Sequence, residues 1–188
     1  SIKFTKQNSI PALPVPLIGN VTSFSVMNTS RSIAWISSMM PRYAGSRCPN
    51  CGRCIASVTD GVGRALTWRL SASDPILGQA LEIELPPLSA GETRKLVINY
   101  ATRPDAAALQ WLNPSQTAGG EQPYLFSQGQ AILTRTWIPT QDSPGIRQSY
   151  SARIVVPEDL KAVMSAEMLT PEGEPAGPGQ RAYRFRLR

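Results

Sequence analysis

The 188-residue sequence contains no histidine. That absence removes the Ser-His-Asp and Cys-His nucleophile systems and the H-E-x-x-H zinc motif, and with them most hydrolytic mechanisms. A P-loop and a strand-linked G-x-G-x-x-G are also missing; GVG (61–63) reads instead as a hairpin turn. No run of about 18 apolar residues is present to cross a bilayer. The longest apolar-leaning stretch, IPALPVPLIGNV (10–21), carries three prolines, which a membrane helix does not accommodate, so no membrane partner is expected.

Acidic residues are absent from the first 57 positions, where Lys3, Lys6, Arg31, Arg42, Arg47 and Arg53 supply the whole net charge of +6. Residues 58–188 hold the other 13 basic and all 13 acidic residues and are electrically balanced. The excess is thus confined to one segment, which argues against a nucleic-acid-binding face on the folded part. At this length the chain is about one domain and needs no metal or disulfide to fold.

Cysteine is scarce, and its three copies sit together in RCPNCGRC (47–54). A structural zinc needs four enclosing ligands. Cys48, Cys51 and Cys54 offer three thiolates with no histidine to complete them, and three of the ligands of an iron–sulfur cluster in the wrong context. A redox pair at Cys48 and Cys51 lacks the following helix that lowers a thiol pKa. Incidental thiols are the reading that remains ahead of metal and redox chemistry.

Residues 1–54 show neither a strand nor a sustained helix period, although RSIAWISSMMPRY (31–43) comes nearest to a short helix ended by Pro41. Their Arg- and Ser-rich, acid-free composition also suits a removable transit peptide. From Ile55 onward short alternating segments separated by turn residues predict an all-β domain. ALEIELP (80–86) alternates Leu81, Ile83 and Leu85 against Glu82 and Glu84, and TRKLVINYATR (93–103) alternates Leu96, Ile98 and Tyr100 against Lys95 and Asn99. These two are expected to pair as a meander through Pro86, Pro87 and Gly91. Glu82 and Glu84 form a carboxylate pair, but their alternation marks a solvated strand face.

YLFSQGQAILTRTWIP (124–139) is the longest extended candidate, with Gly129 marking a bulge or a close approach to the backbone. SYSARIVVPED (149–159) and AYRFRLR (182–188) predict two more strands, the last running mid-strand to the final residue. DLKAVMSAEM (159–168), flanked by β segments, reads as strand or turn in preference to a helix capped by Asp159. LNPSQTAGGEQP (112–123) and TPEGEPAGPG (170–179) read as loops.

The stretch AALQWLNPSQTAGGEQPYLFSQGQAILTRTWIPTQDSP (107–144) resembles the N-terminal domain of leukotriene A-4 hydrolase-like aminopeptidases, in the aminopeptidase N family of zinc peptidases. The matching elements are LQWL, a Pro and QT, PYLFSQ, QAI, an Arg before IP, and QD before a Pro; the resemblance continues through SYSARIVVPEDLKAVMSAE (149–167) and, more weakly, back to Ile55. It implies an all-β fold, a mixed or antiparallel β-barrel or saddle-like sandwich, here incomplete, that forms one wall of a substrate cleft beside a downstream catalytic domain. It implies peptide as substrate and cytoplasmic location. By motif position it makes Gln128, Gln130 and Ala131 the cleft residues, with Gln130 binding the substrate end near the zinc, and gives Arg135, Pro139, Asp142 and Pro144 a part in shaping the strand end and turn.

The family's zinc ligands and catalytic Glu lie beyond the last residue, so no catalytic residue and no metal ligand is expected in this chain, and zinc belongs to the full-length family. Residues 1–54 do not resemble the family's first strands, which suggests a frame-shifted, spliced or transit sequence joined to a domain spanning 55–188. Open sheet edges are then expected to favour self-association. The rival from another class is a non-catalytic binding module whose basic, cysteine-bearing arm grips nucleic acid or an acidic partner, distinguished by stoichiometric metal and a steep salt dependence.

Overall fold

A computed structural model of the chain describes residues 18–25, 33–34, 55–87, 89, 93–102, 106–143, 145 and 147–188. Cys48, Cys51 and Cys54, Pro144 and most of the expected helix at 31–43 lie outside the described residues; Ile33–Ala34, inside that stretch, is a strand.

Twelve strands follow one another: β1 (Ile18–Ser25), β2 (Ile33–Ala34), β3 (Ile55–Asp60), β4 (Trp68–Leu70), β5 (Leu81–Ile83), β6 (Lys95–Ala101), β7 (Leu109–Leu112), β8 (Tyr124–Ser127), β9 (Tyr150–Pro157), β10 (Glu167–Met168), β11 (Glu174–Gly177) and β12 (Gln180–Leu187). Two single 3-10 turns, Pro114–Gln116 and Thr134–Thr136, are the helical content of the described residues. All strand pairs are antiparallel, in open sheets ordered β1-β6-β3, β2-β5-β4 and β7-β8, with a fourth in which β12 pairs β9 along its length and β10 and β11 on its other side. The all-β expectation holds, as an incomplete sandwich; no barrel closes among the described residues.

The alternation in the sequence sets each strand's buried face. Leu81 and Ile83 on β5 and Leu96, Ile98 and Tyr100 on β6 are buried, together with Ile55 and Val58 of β3. They form one core, with Leu66, Trp68 and Leu70 packed against it. The expected β5–β6 meander is therefore not made. Each strand pairs elsewhere, and the two meet through their apolar faces from opposite sheets, because a face-to-face packing buries both alternating stripes at once. The outer face is solvated as expected: Glu82, opposite Arg69 on β4, is ion-paired to it.

The GVG turn is present. Asp60 N–H donates to Arg64 O at 2.9 Å, Gly63 adopts φ 87°, and the Asp60 carboxylate accepts from the backbone N–H of Val62 and Arg64. The bonds from the Arg64 backbone N–H and the Arg64 guanidinium, with a smaller share from Val62 N–H, hold the Asp60 carboxyl below its ordinary pKa.

A second core lies under β9 and β12. Phe185, Tyr183 and Ala162 are buried there, with Ala152, Ile154 and Val156 of β9 and Met164 and Met168 packed against them. Residues 159–166 cover this face without forming a helix, as expected. The loop expected at 170–179 is half strand: β11 pairs β12 as a hairpin, with Gly173 at φ 70° and Gly179 at φ 64° supplying the left-handed positions.

Candidate functional site

The strand expected over 124–139 ends at Ser127. Beyond it the chain turns sharply through residues 128–133 and enters the 3-10 turn Thr134–Thr136. Local bonding explains the break. Gly129 O accepts from Leu133 N–H at 2.8 Å, closing the turn, and a methyl group built on Gly129 would lie 2.3 Å from Thr134 Oγ1. The glycine is thus the close approach that its position suggested, with Thr134 as the approaching group.

Both ends of the turn are fastened to the backbone of one buried residue, Ala108. Gln128 N–H donates to Ala108 O at 2.9 Å, and Ala108 N–H donates to Thr136 Oγ1 at 3.0 Å. The Thr136 hydroxyl in turn donates to Leu133 O at 2.7 Å, and Thr102 Oγ1–H donates to Trp137 O at 2.8 Å.

Arg135 secures the turn from beneath. Its side chain is 8% exposed, its backbone N–H and Nε donate to Asp142 Oδ2 at 3.0 and 3.4 Å, and its guanidinium also reaches the carbonyls of Asp142 and Leu77. One buried cation thus joins the 74–78 loop, the 3-10 turn and the segment at Asp142. The part expected for Arg135 and Asp142, shaping the end of the strand and the turn, is what they do; the reach to Leu77, 58 residues earlier in sequence, had no signal in the sequence.

On this support Gln128, Gln130 and Ala131 are all exposed. Gln130 N–H donates to Gln128 Oε1 at 3.2 Å, and the peptide joining Gln130 to Ala131 is cis. The fold brings the three together at one tip. An open hollow of about 500 Å³ lies away from them, lined by Leu112, Gln116, Thr117, Glu121 and Tyr124 of the β7–β8 connection. On the ribbon itself Tyr124 and Phe126 are exposed, while the enclosed indole Nε1–H of half-buried Trp111 has no hydrogen-bond partner among the described residues.

The sequence profile of the Peptidase M1 N-terminal domain matches residues 71–187. The chain belongs to this family. It is 40% identical over 125 residues to leukotriene A-4 hydrolase of Xenopus laevis, a match covering 66% of this chain and 20% of that protein. It is 41% identical over 90 residues to aminopeptidase B of Homo sapiens, covering 47% and 14%. Among solved structures it resembles yeast LTA4 hydrolase in complex with bestatin, with TM-score 0.59 and 27% identity over 81% of this chain and 20% of that one. An M1 zinc metallopeptidase from Deinococcus radiodurans shares the fold, with TM-score 0.58 and 23% identity over 85% and 31%. The chain thus spans about a fifth or less of the curated relatives. It is an N-terminal domain of the M1 aminopeptidase and leukotriene A-4 hydrolase family.

Zinc is a property of the family, and the described residues do not fit it. The sequence has no histidine, and among the described residues no three of Cys, Asp and Glu come together. No chemical step is assigned to a metal on this chain.

Proposed function

We propose that this M1 N-terminal domain lines the substrate cleft of a zinc aminopeptidase of the leukotriene A-4 hydrolase type, an enzyme that removes N-terminal residues from peptides. The chemistry comes from a downstream catalytic domain. Gln128, Gln130 and Ala131 are its contribution to the cleft, with Gln130 holding the substrate end nearest the zinc. One observation carries this reading: three exposed residues at one tip, two of them bearing side-chain amides, are mounted on a turn whose supports, Ala108, Arg135 and Asp142, are buried or nearly so. A polar recognition element needs such a rigid mount. The cytoplasm is the proposed compartment; among the described residues no helix is long and apolar enough to cross a membrane. The change of composition at residue 54 supports a separate origin for the first 54 residues.

Two assays test the reading. The chain alone, given zinc and an aminoacyl chromogenic substrate, should show no turnover, and zinc-dependent turnover by it would overturn the proposal. In an aminopeptidase carrying this domain, Gln130→Ala should raise KM about tenfold, the loss of one hydrogen bond to a charged group. An unchanged KM and kcat would remove Gln130 from the cleft.

A further inference from the structure

Edges of β-sheets invite pairing with other chains unless something blunts them. Several edges here are blunted. β1 and β3 each carry a register shift against β6, at Thr22/Phe24 and at Ile55/Ser57, and residues 64–66 bond back onto β3. β11 is short and shifted at Pro175/Gly177, β10 and β2 have two residues each, and β4 has three. β9 differs: it runs eight residues in unbroken register with β12, and no described strand lies on its other side.

The hydrogen-bond phase of β9 fixes what that side offers. Bonded and non-bonded pairs alternate along an antiparallel ladder. Glu158 N–H donates to Gly179 O at 3.0 Å, one step beyond the Pro157–Gln180 pair. Val156, Ile154, Ala152 and Tyr150 therefore bond β12, while Val155, Arg153 and Ser151 direct their N–H and C=O groups outward. Pro157, which has no N–H to give, falls in the outward phase. The outward groups of Ser151, Arg153 and Val155 have no hydrogen-bond partner among the described residues. The apolar side of this edge is also incompletely covered. Ala152, Ile154 and Val156 pack on the core yet stay only partly buried, whereas Phe185 and Tyr183 on the neighbouring β12 are 1% and 4% exposed.

We propose that β9 is a self-association edge, on which the β9 strand of a second copy of this chain adds antiparallel about a two-fold axis through Ile154. Sequence and charge select that occupant and that register. With the axis at Ile154, outward-bonding Arg153 meets outward-bonding Val155 of the second copy, and each pair exchanges both backbone hydrogen bonds. Ile154 then faces its own copy and Ala152 faces Val156, so the apolar stripe under β9 and β12 runs unbroken across the axis. Moving the axis to Arg153 sets two guanidinium groups directly opposite, which is destabilising.

In the preferred register the two Arg153 residues stand about 8 Å apart, from a strand spacing of about 4.8 Å and an offset of two residues at about 3.4 Å each. Arg184, opposite Arg153 on β12, has Glu174 as a partner at 3.1 Å, while Arg153 has no carboxylate partner among the described residues. The shared edge therefore carries a close like-charge repulsion, added to that between two copies of net charge +6, and salt screens both, so the dimer should tighten as ionic strength rises.

The test is sedimentation equilibrium of this chain from about 1 to about 200 µM, the range in which a small interface associates, at low and high NaCl. A saturating monomer–dimer equilibrium that strengthens with salt is expected. Arg153→Ser, a change on the exposed face, should lower the dimer dissociation constant about two- to tenfold at low salt and weaken the salt effect. Val155→Pro removes an outward N–H and no hydrogen bond to β12, and should be monomeric throughout, with the unfolding midpoint largely retained. If that variant fails to fold, the salt response of Arg153→Ser decides. A chain that stays monomeric, a dimer indifferent to both salt and Arg153→Ser, dimerisation of folded Val155→Pro as in the parent, or association that grows without saturating would each overturn the proposal.

Discussion

Replacing Gly129 by alanine tests whether the turn after β8 is built on a steric contact. The added methyl carbon would sit 2.3 Å from Thr134 Oγ1 and 3.6 Å from Thr134 Cβ. The first distance is nearly 1 Å inside van der Waals contact and the second is ordinary, so the hydroxyl oxygen is the whole obstacle. Thr134 is β-branched and opens the 3-10 turn, which restricts its escape to another rotamer. Overpacking of this kind costs about 1–3 kcal/mol, partly offset by about 0.4–1 kcal/mol from the stiffer unfolded chain. For a domain of this size the net loss should lower Tm by roughly 2–8 °C.

Thr134→Ala should then rescue the variant. With the oxygen gone, the double variant should be at least as stable as Thr134→Ala alone, and the double-mutant cycle should show a coupling of about 1–3 kcal/mol. Thermal melts of the four proteins supply the cycle, and the amide resonances of Gln128 and Gln130 report on the turn. Equal stability of Gly129→Ala and the parent, or additive losses in the double variant, would refute the contact.

Two further outcomes are expected. Arg135→Met strands the nearly buried Asp142 carboxylate and two carbonyls, at a cost of about 3–5 kcal/mol in chemical denaturation, much of it recovered by Arg135→Met combined with Asp142→Leu; a loss below about 1 kcal/mol would make the pair a surface bridge. Burial raises the Tyr100 hydroxyl pKa to about 12. The folded state then holds a proton that the unfolded state releases near pH 10, so this contribution to stability is intact below pH 10 and is lost between pH 10 and about 12, by about 3 kcal/mol in all. Denaturant melts across that window, with and without Tyr100→Phe, measure it; parallel pH profiles for the two proteins would remove burial as the cause.

The strands that the sequence made legible are those whose burial follows their own period of two. β5, β6, β9 and β12 declare their apolar faces without reference to any partner. Partnership was not legible, because the same alternation serves a strand beside its neighbour or one packed on its face, and β5 and β6 took the second arrangement. The break after Ser127 was hidden by Ile132, Leu133, Thr134, Thr136 and Trp137, a β-prone run bent by the bonds of Gly129 and Thr136. Gln128, Gln130 and Ala131 were reached through the family motif; no periodicity distinguishes them from other polar surface residues.

Ala108 shows what such supports look like to comparison by sequence. It clasps residues 128 and 136 with its own carbonyl and N–H, so no ordinary exchange of its side chain unfastens them; burial limits the size of that side chain and says nothing of the clasp. The spacing between the two fastened points is fixed by the backbone of one residue. Insertions and deletions should therefore be shunned between Gln128 and Thr136 and tolerated in the 113–123 connection. In a set of homologues the trace of the clasp would be a segment of constant length, with Thr136 as its visible residue.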